Sequence, residues 1–211
     1  MNKWTRDQMA ARIARDIPDG SYVNLGIGLP TLVANHLAPD REVFLHSENG
    51  ILGMGPAPAP GEEDLDPLNA GKQPVTLLAG GAYFHHVDSF AMIRGGHVDI
   101  CVLGAFQVSV TGALANWHTS EPDTIPAVDG AMDLAVGARR VFVTMEHLTK
   151  KGDPKIVHRC AYPLTAARCV SRIYTDLAVL EVAPGGLTVV EMVDGLSMAE
   201  LRQCTALKAS E

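Results

Sequence analysis

The sequence predicts a single open α/β domain spanning residues 1–211, with a mostly parallel sheet covered by helices. Three observations predict it. First, "YVNLGIG", "VFL", "PVTLLAGGA" and "HVDICVLGAFQV" read as buried strands, which need cover on both faces. Second, short helical segments alternate with them. Third, 211 residues that are 47% hydrophobic and 19% charged suffice for one sizeable core.

The elements follow in order. Thr5 and Gln8 form a capping box for a helix to about Ile17, and Asp19-Gly20 turns the chain. "SYVNLGIG" is a strand running into a glycine turn. Pro30 suits the first turn of a helix reaching about Leu37. "EVFLH" is the next strand. Pro56 to Pro67 is proline-rich and acidic, hence an exposed loop. "PVTLLAGGA" is a strand, and "DSFAMIR" a short helix closed by Gly95-Gly96. "HVDICVLGAFQV" is read as one continuous strand, Asn116 to Asp129 as loop, and "RRVFVTMEH" as a strand. "LAVLEV" and "LTVVEM" flank Ala183–Gly186 as a hairpin, and Ser197 with Glu200 caps a C-terminal helix. No internal repeat is visible.

Composition excludes several classes. Seventeen basic against 24 acidic residues give a net charge of −7, and no basic block is present to neutralise phosphates, so nucleic acid is not an expected partner. No apolar run approaches the roughly 18 residues of a membrane span. The N-terminus carries Asp7 and Asp16 and no apolar core, unlike a signal peptide. Cys101, Cys160, Cys169 and Cys204 are scattered without CxxC spacing, as expected of buried thiols in a reducing cytoplasm. The histidines show neither HExxH nor HxH spacing, so no metal site is expected.

Chemistry concentrates at "HSENG". Glu48 follows an apolar strand and precedes several glycines. It is either a solvated turn residue or a nucleophile or base at the carboxyl end of a strand, where open α/β sheets bind ligands. Gly26 and Gly28 form either a tight turn or an anion-binding one, since Thr31 replaces the third glycine of a GxGxxG pattern. Asn24 sets an amide inside an apolar strand and needs partners. Lys72 is either a surface lysine or a cation for a carboxylate or phosphate. Glu146-His147 is either acid–base machinery or an ordinary strand end. No GxSxG elbow or activated cysteine offers another nucleophile.

The segments "YVNLGIGLPTLVANHL", "SENGILGMGP", "LNAGK", "SFAMIRGGHVD", "LGAFQV", "LANW", "GAMDL", "TMEH" and "PLTAARCVSRI" occur together and in order. In this the chain resembles the beta subunit of the 3-oxoacid CoA-transferases, CoA-transferase family I, from about Arg6 to Leu196. That family includes acetoacetate/succinate and 3-oxoadipate enzymes. The resemblance implies that Glu48 is the catalytic glutamate, moving CoA from an acyl-CoA such as succinyl-CoA to a carboxylic acid by ping-pong chemistry through a glutamyl-CoA thioester. It implies that the Gly130 N–H helps form an oxyanion hole. Asn24 and Lys72 are implied to line the active site, Asn24 hydrogen-bonding near Glu48 and Lys72 contacting a carboxylate or CoA. Gly26, Gly28 and Asn49 complete the set expected to bind substrate or CoA. No permanently bound cofactor is implied, since the CoA thioester is itself the substrate. The implied partner is the CoA-transferase alpha subunit, in a heterodimer or heterotetramer.

Two departures from the family pattern stand out. "GGAYFHHVD" replaces a "GASFF"-like stretch, so His85-His86 is a candidate to narrow or repolarise the acyl pocket. "HTSEPDTIPAVDGAMDL" replaces a glycine- and methionine-rich loop, adding Glu121, Asp123 and Asp129, which should repel anionic substrates unless offset. Through that loop an acyl-CoA hydrolase or decarboxylase on the same scaffold is the alternative activity. A non-catalytic partner subunit is a third reading, against which the intact Glu48, Asn24, Lys72 and Gly130 set speaks.

Overall fold

The computed structural model describes residues 2–119, 125–126 and 130–205. Helix α1 (Arg6–Asp16) opens with the expected capping box: Thr5 Oγ1 accepts from Gln8 N–H, and the Gln8 side chain accepts from Thr5 N–H. Strands β1 (Ser21–Leu25), β2 (Val43–Ser47), β3 (Ile51–Met54), β4 (Leu77–Tyr83), β5 (Ile100–Gly104), β8 (Arg140–Thr144), β10 (Val170–Tyr174), β11 (Ala178–Ala183) and β12 (Gly186–Met192) form one sheet. Its order is β12-β11-β10-β8-β5-β1-β2-β3-β4. The five central strands, β10 through β2, are parallel. The antiparallel pairs lie at the two edges, so seven of nine strands share one direction. The predicted mostly parallel sheet is present.

Register shows how it is covered. Asn24 pairs with His46 and Cys101, and Cys101 with Val141, so these side chains share one face. Helices α2 (His86–Arg94) and α3 (Ala131–Gly137) pack there: Ser89 bonds to His46, and the Cys101 thiol donates to Leu134 O. Val23, Ile100, Phe142 and Tyr174 occupy the opposite face. There the Tyr174 hydroxyl donates to Asp16 of α1 at 2.9 Å.

Three expectations are corrected. The segment after Gly28 is a 3₁₀-helix, Leu29–His36, which the fixed φ of Pro30 accommodates. The strand predicted through "HVDICVLGAFQV" breaks after Gly104. β6 (Gln107–Ser109) leaves the main sheet to pair with β7 (Leu114–Ala115) and β9 (Ile156–Val157) in a three-stranded sheet, because Phe106 N–H turns to Ala115 O. β3, β10 and α3 form where the sequence pattern marks no element. The capping box of α4 (Met198–Gln203) at Ser197 and Glu200 forms as read. No helix among the described residues is long and apolar enough to cross a membrane.

Candidate active site

The carboxyl ends of the parallel strands open on a cleft of about 680 Å³. Each central strand contributes to its floor: Leu25 and Gly26 from β1, Glu48 beyond β2, Gly104 from β5, Thr144 to Glu146 from β8, and Asp176 beyond β10. This is where open α/β sheets bind ligands. Leu103, Phe106 and Leu134 add apolar walls.

Glu48 stands half-buried in the turn joining β2 to β3. That turn is closed by Gly50 N–H donating to Ser47 O at 2.9 Å. Gly50 has φ 113°, and a Cβ there would lie 2.2 Å from Phe84 O, so no side chain fits. Phe84 N–H donates back to Gly50 O at 3.0 Å, fixing the turn against the end of β4. Ser47 Oγ accepts from Ala70 N–H at 3.0 Å, and Asn49 Nδ2 donates to Leu68 O at 2.7 Å. The two bonds fasten the loop carrying Lys72 to the Glu48 turn.

Gly130 faces the glutamate. It is buried and caps the N-terminus of α3, and a Cβ on it would lie 2.8 Å from Glu48 Oε2. The backbone therefore approaches the carboxylate as only glycine permits. Gly26 is constrained similarly by β5: a Cβ would meet Val102 O at 2.9 Å.

The remaining sequence-predicted residues occupy different depths. Asn24 is 2% exposed and does not line the cleft. Its Nδ2 donates to His46 Nδ1 at 3.0 Å and reaches His46 O at 3.3 Å, two residues before Glu48. This leaves the ring proton on Nε2, directed to Ser89 Oγ at 2.9 Å. Burial pushes the His46 imidazole down to about 4, so it is neutral near pH 7. Lys72 is exposed, with φ 59°, in the loop whose Gly71 neighbours Ile27 on the cleft rim. Gly28 caps the 3₁₀-helix with φ 87°, outside the cleft lining, as is the exposed Asn49.

The histidine pair is corrected: His85 and His86 are exposed and away from the cleft, His85 capping α2 and His86 stacking on Phe90. Glu121, Asp123 and Asp129 lie outside the described residues. Glu146 and His147 separate. Glu146 is exposed to the cleft, while His147 is fully buried between Thr175 and Thr205 hydroxyls. Sequence reasoning missed Arg6, Asn116 and Lys155, which also line the cleft. Among the described residues, no group of three His, Cys, Asp or Glu is placed to hold a metal.

The class so defined is an α/β protein with a carboxylate presented at the strand-end switch region of its sheet. A family model described as "Coenzyme A transferase" matches residues 6–202, and the chain belongs to that family. It is 64% identical over 204 residues to the beta subunit of the 3-oxoadipate CoA-transferase of Acinetobacter baylyi, covering 97% of this chain and 94% of that one. It is 67% identical over 205 residues to the protein of the same name from Pseudomonas putida, covering 97% and 96%. The crystal structure of the acyl-CoA transferase YdiF apoenzyme from Escherichia coli O157:H7 matches in fold, with TM-score 0.74 and 17% identity over 96% of this chain and 41% of that one. The chain is thus an enzyme of the CoA-transferase type.

Proposed function

We propose that this chain is the glutamate-bearing subunit of a transferase moving CoA from an acyl-CoA, such as succinyl-CoA, to a 3-oxoacid. The observation that carries the reading is the Glu48 carboxylate held in the cleft against the side-chain-free backbone of Gly130. Glu48 attacks the thioester carbonyl, the C–S bond breaks, and an acyl-glutamyl anhydride and CoA thiolate form. The thiolate then attacks the glutamyl carbonyl of the anhydride. The C–O bond breaks, the donor acid leaves as its carboxylate, and glutamyl-CoA thioester remains. The acceptor carboxylate runs the same steps in reverse. No net proton and no ATP are consumed, and water must be kept from both intermediates.

The Gly130 N–H is the proposed oxyanion donor, helped by its position at a helix start, where N–H groups lack intrahelical acceptors. Asn24 acts through His46, as a positioning residue for the Glu48 turn. Lys72 approaches a carboxylate or CoA from its fastened loop, with Gly26, Gly28 and Asn49 shaping the approach. The relatives' designation as beta subunits supports pairing with the alpha subunit of a CoA-transferase, in a heterodimer or heterotetramer, and a cytoplasmic setting suits the four free thiols.

The test co-expresses the chain with its alpha partner and supplies acyl-CoA with and without acceptor acid. Acid-dependent CoA exchange and a CoA adduct on Glu48, read by mass spectrometry, are expected. Full activity in Glu48→Ala, or CoA release independent of any acceptor, overturns the reading.

A further inference from the structure

The cleft continues past Glu48 to a cationic end. Lys155 precedes β9 and joins the main sheet to the small one: its N–H donates to His147 O at 3.1 Å, and its carbonyl accepts from Val108 N–H at 3.0 Å. Its backbone is therefore fixed. Its side chain is half-buried, lines the cleft, and has no hydrogen-bond or ion-pair partner among the described residues. Arg6, at the start of α1, also lines the cleft and also lacks an ion pair there.

The neighbouring charges set what such a place accepts. Asp176 is already engaged: one oxygen takes His147 N–H at 2.7 Å, and the other pairs with Lys3 at 2.7 Å. Glu146 faces Lys155 from beyond β8 but lies outside ion-pair distance. Three cations (Lys3, Arg6, Lys155) against two carboxylates (Glu146, Asp176) leave one positive charge uncompensated. One carboxylate balances that excess, whereas a pyrophosphate exceeds it. Burial also lowers the Lys155 pKa, so a bound anion gains by restoring its charge.

Position agrees with charge. Glu48 lies beyond β2 and Lys155 is tied to the exit of β8, three strand spacings away, or about 14 Å. The Lys155 stem and the Glu48 side chain reach in from either end, leaving an apolar-walled gap suited to a short carbon chain.

We propose that Lys155, assisted by Arg6, binds the distal carboxylate of a dicarboxylic acyl group whose reacting carbon lies at Glu48. The proposal rests on the transferase reading and makes Lys155 a determinant of diacid specificity. It also supplies an offset to the acidity around the cleft.

The test uses the complex with the alpha partner and two thioesters of equal carbon number, succinyl-CoA and butyryl-CoA, which differ in a terminal carboxylate. Formation of the CoA adduct is followed with each, and binding of free succinate and butyrate is measured by calorimetry. Lys155→Met is expected to lower the rate with succinyl-CoA on the order of 100-fold while changing butyryl-CoA by less than about 3-fold. Lys155→Arg should retain most of the preference, and Glu146→Gln should strengthen it. Equal loss with both thioesters overturns the proposal, as expected if the cation contacts CoA phosphates or only supports the fold. Unchanged discrimination overturns it too. If neither thioester forms an adduct in the parent complex, the glutamyl mechanism fails, while the succinate–butyrate binding contrast still decides Lys155.

Discussion

The Gly130 backbone lies so close to Glu48 that a single added methyl would sit 2.8 Å from Oε2 and 3.0 Å from the carboxylate carbon. Yet Gly130 has φ −62°, which any residue adopts. Gly130→Ala therefore tests the site apart from the fold. Activity should fall on the order of 100-fold, because the glutamate must move by part of an ångström or more. The thermal midpoint should barely change, as alanine costs little at a helix start lacking a side-chain cap. Steady-state kinetics and a melting curve check both halves.

Gly50 makes the opposite case. Its φ of 113° and a 2.2 Å approach to Phe84 O mean that Gly50→Ala strains the backbone as well as clashing. A loss of roughly 1–3 kcal/mol or more in unfolding free energy is expected, with activity falling alongside as the Glu48 turn shifts. Urea denaturation and kinetics on the same preparation should show both together. An active variant of unchanged stability would mean the turn relaxes freely.

The buried amide beneath the site gives a third expectation. Asn24 Oδ1 has no partner among the described residues, but Nδ2 holds both the ring and the carbonyl of His46. Asn24→Ala removes that hold and leaves His46 Nδ1 unsatisfied, which costs about 1–3 kcal/mol. If Asn24 acts only through the Glu48 turn, kcat should fall more than KM rises. A rise in KM alone would place Asn24 in contact with substrate instead.

How far the sequence foretold this arrangement depends on how local each signal is. The capping boxes at Thr5 and Ser197 lie within three residues, and both helices form as read. β10 escapes because Arg172 breaks its apolar pattern; only the fold supplies the partners, Asp16 and Glu181, that let it sit there. α3 escapes because Gly130 offers no capping side chain. At the site, Glu48 gained meaning through resemblance, since its own surroundings fit an ordinary turn equally well. Arg6 and Lys155 carry no local mark. They meet one cleft only because the strand order sets β1 between β5 and β2, joining distant parts of the chain.

Two buried histidines predict how the fold responds to acid. Burial lowers His46 from 6.5 to about 4, and His147 equally. In the unfolded chain both return to ordinary values, so between about 4 and 6.5 the unfolded state binds more protons. Stability is thus fully present above the unfolded value, and is lost as pH falls through this window towards the folded one. Each histidine contributes at most roughly 3 kcal/mol to the change. Acidic groups titrate lower in the same range, so the wild-type slope alone does not isolate the effect; comparison with His46→Gln and His147→Gln does. Each variant should be less stable than wild type at neutral pH, having lost a shaped partner for Ser89 or for Thr175 and Thr205. Each should then lose stability more shallowly on acidification, narrowing the gap in urea midpoint as pH drops. Parallel wild-type and variant curves across the window would show that the ring in question is not held neutral by the fold.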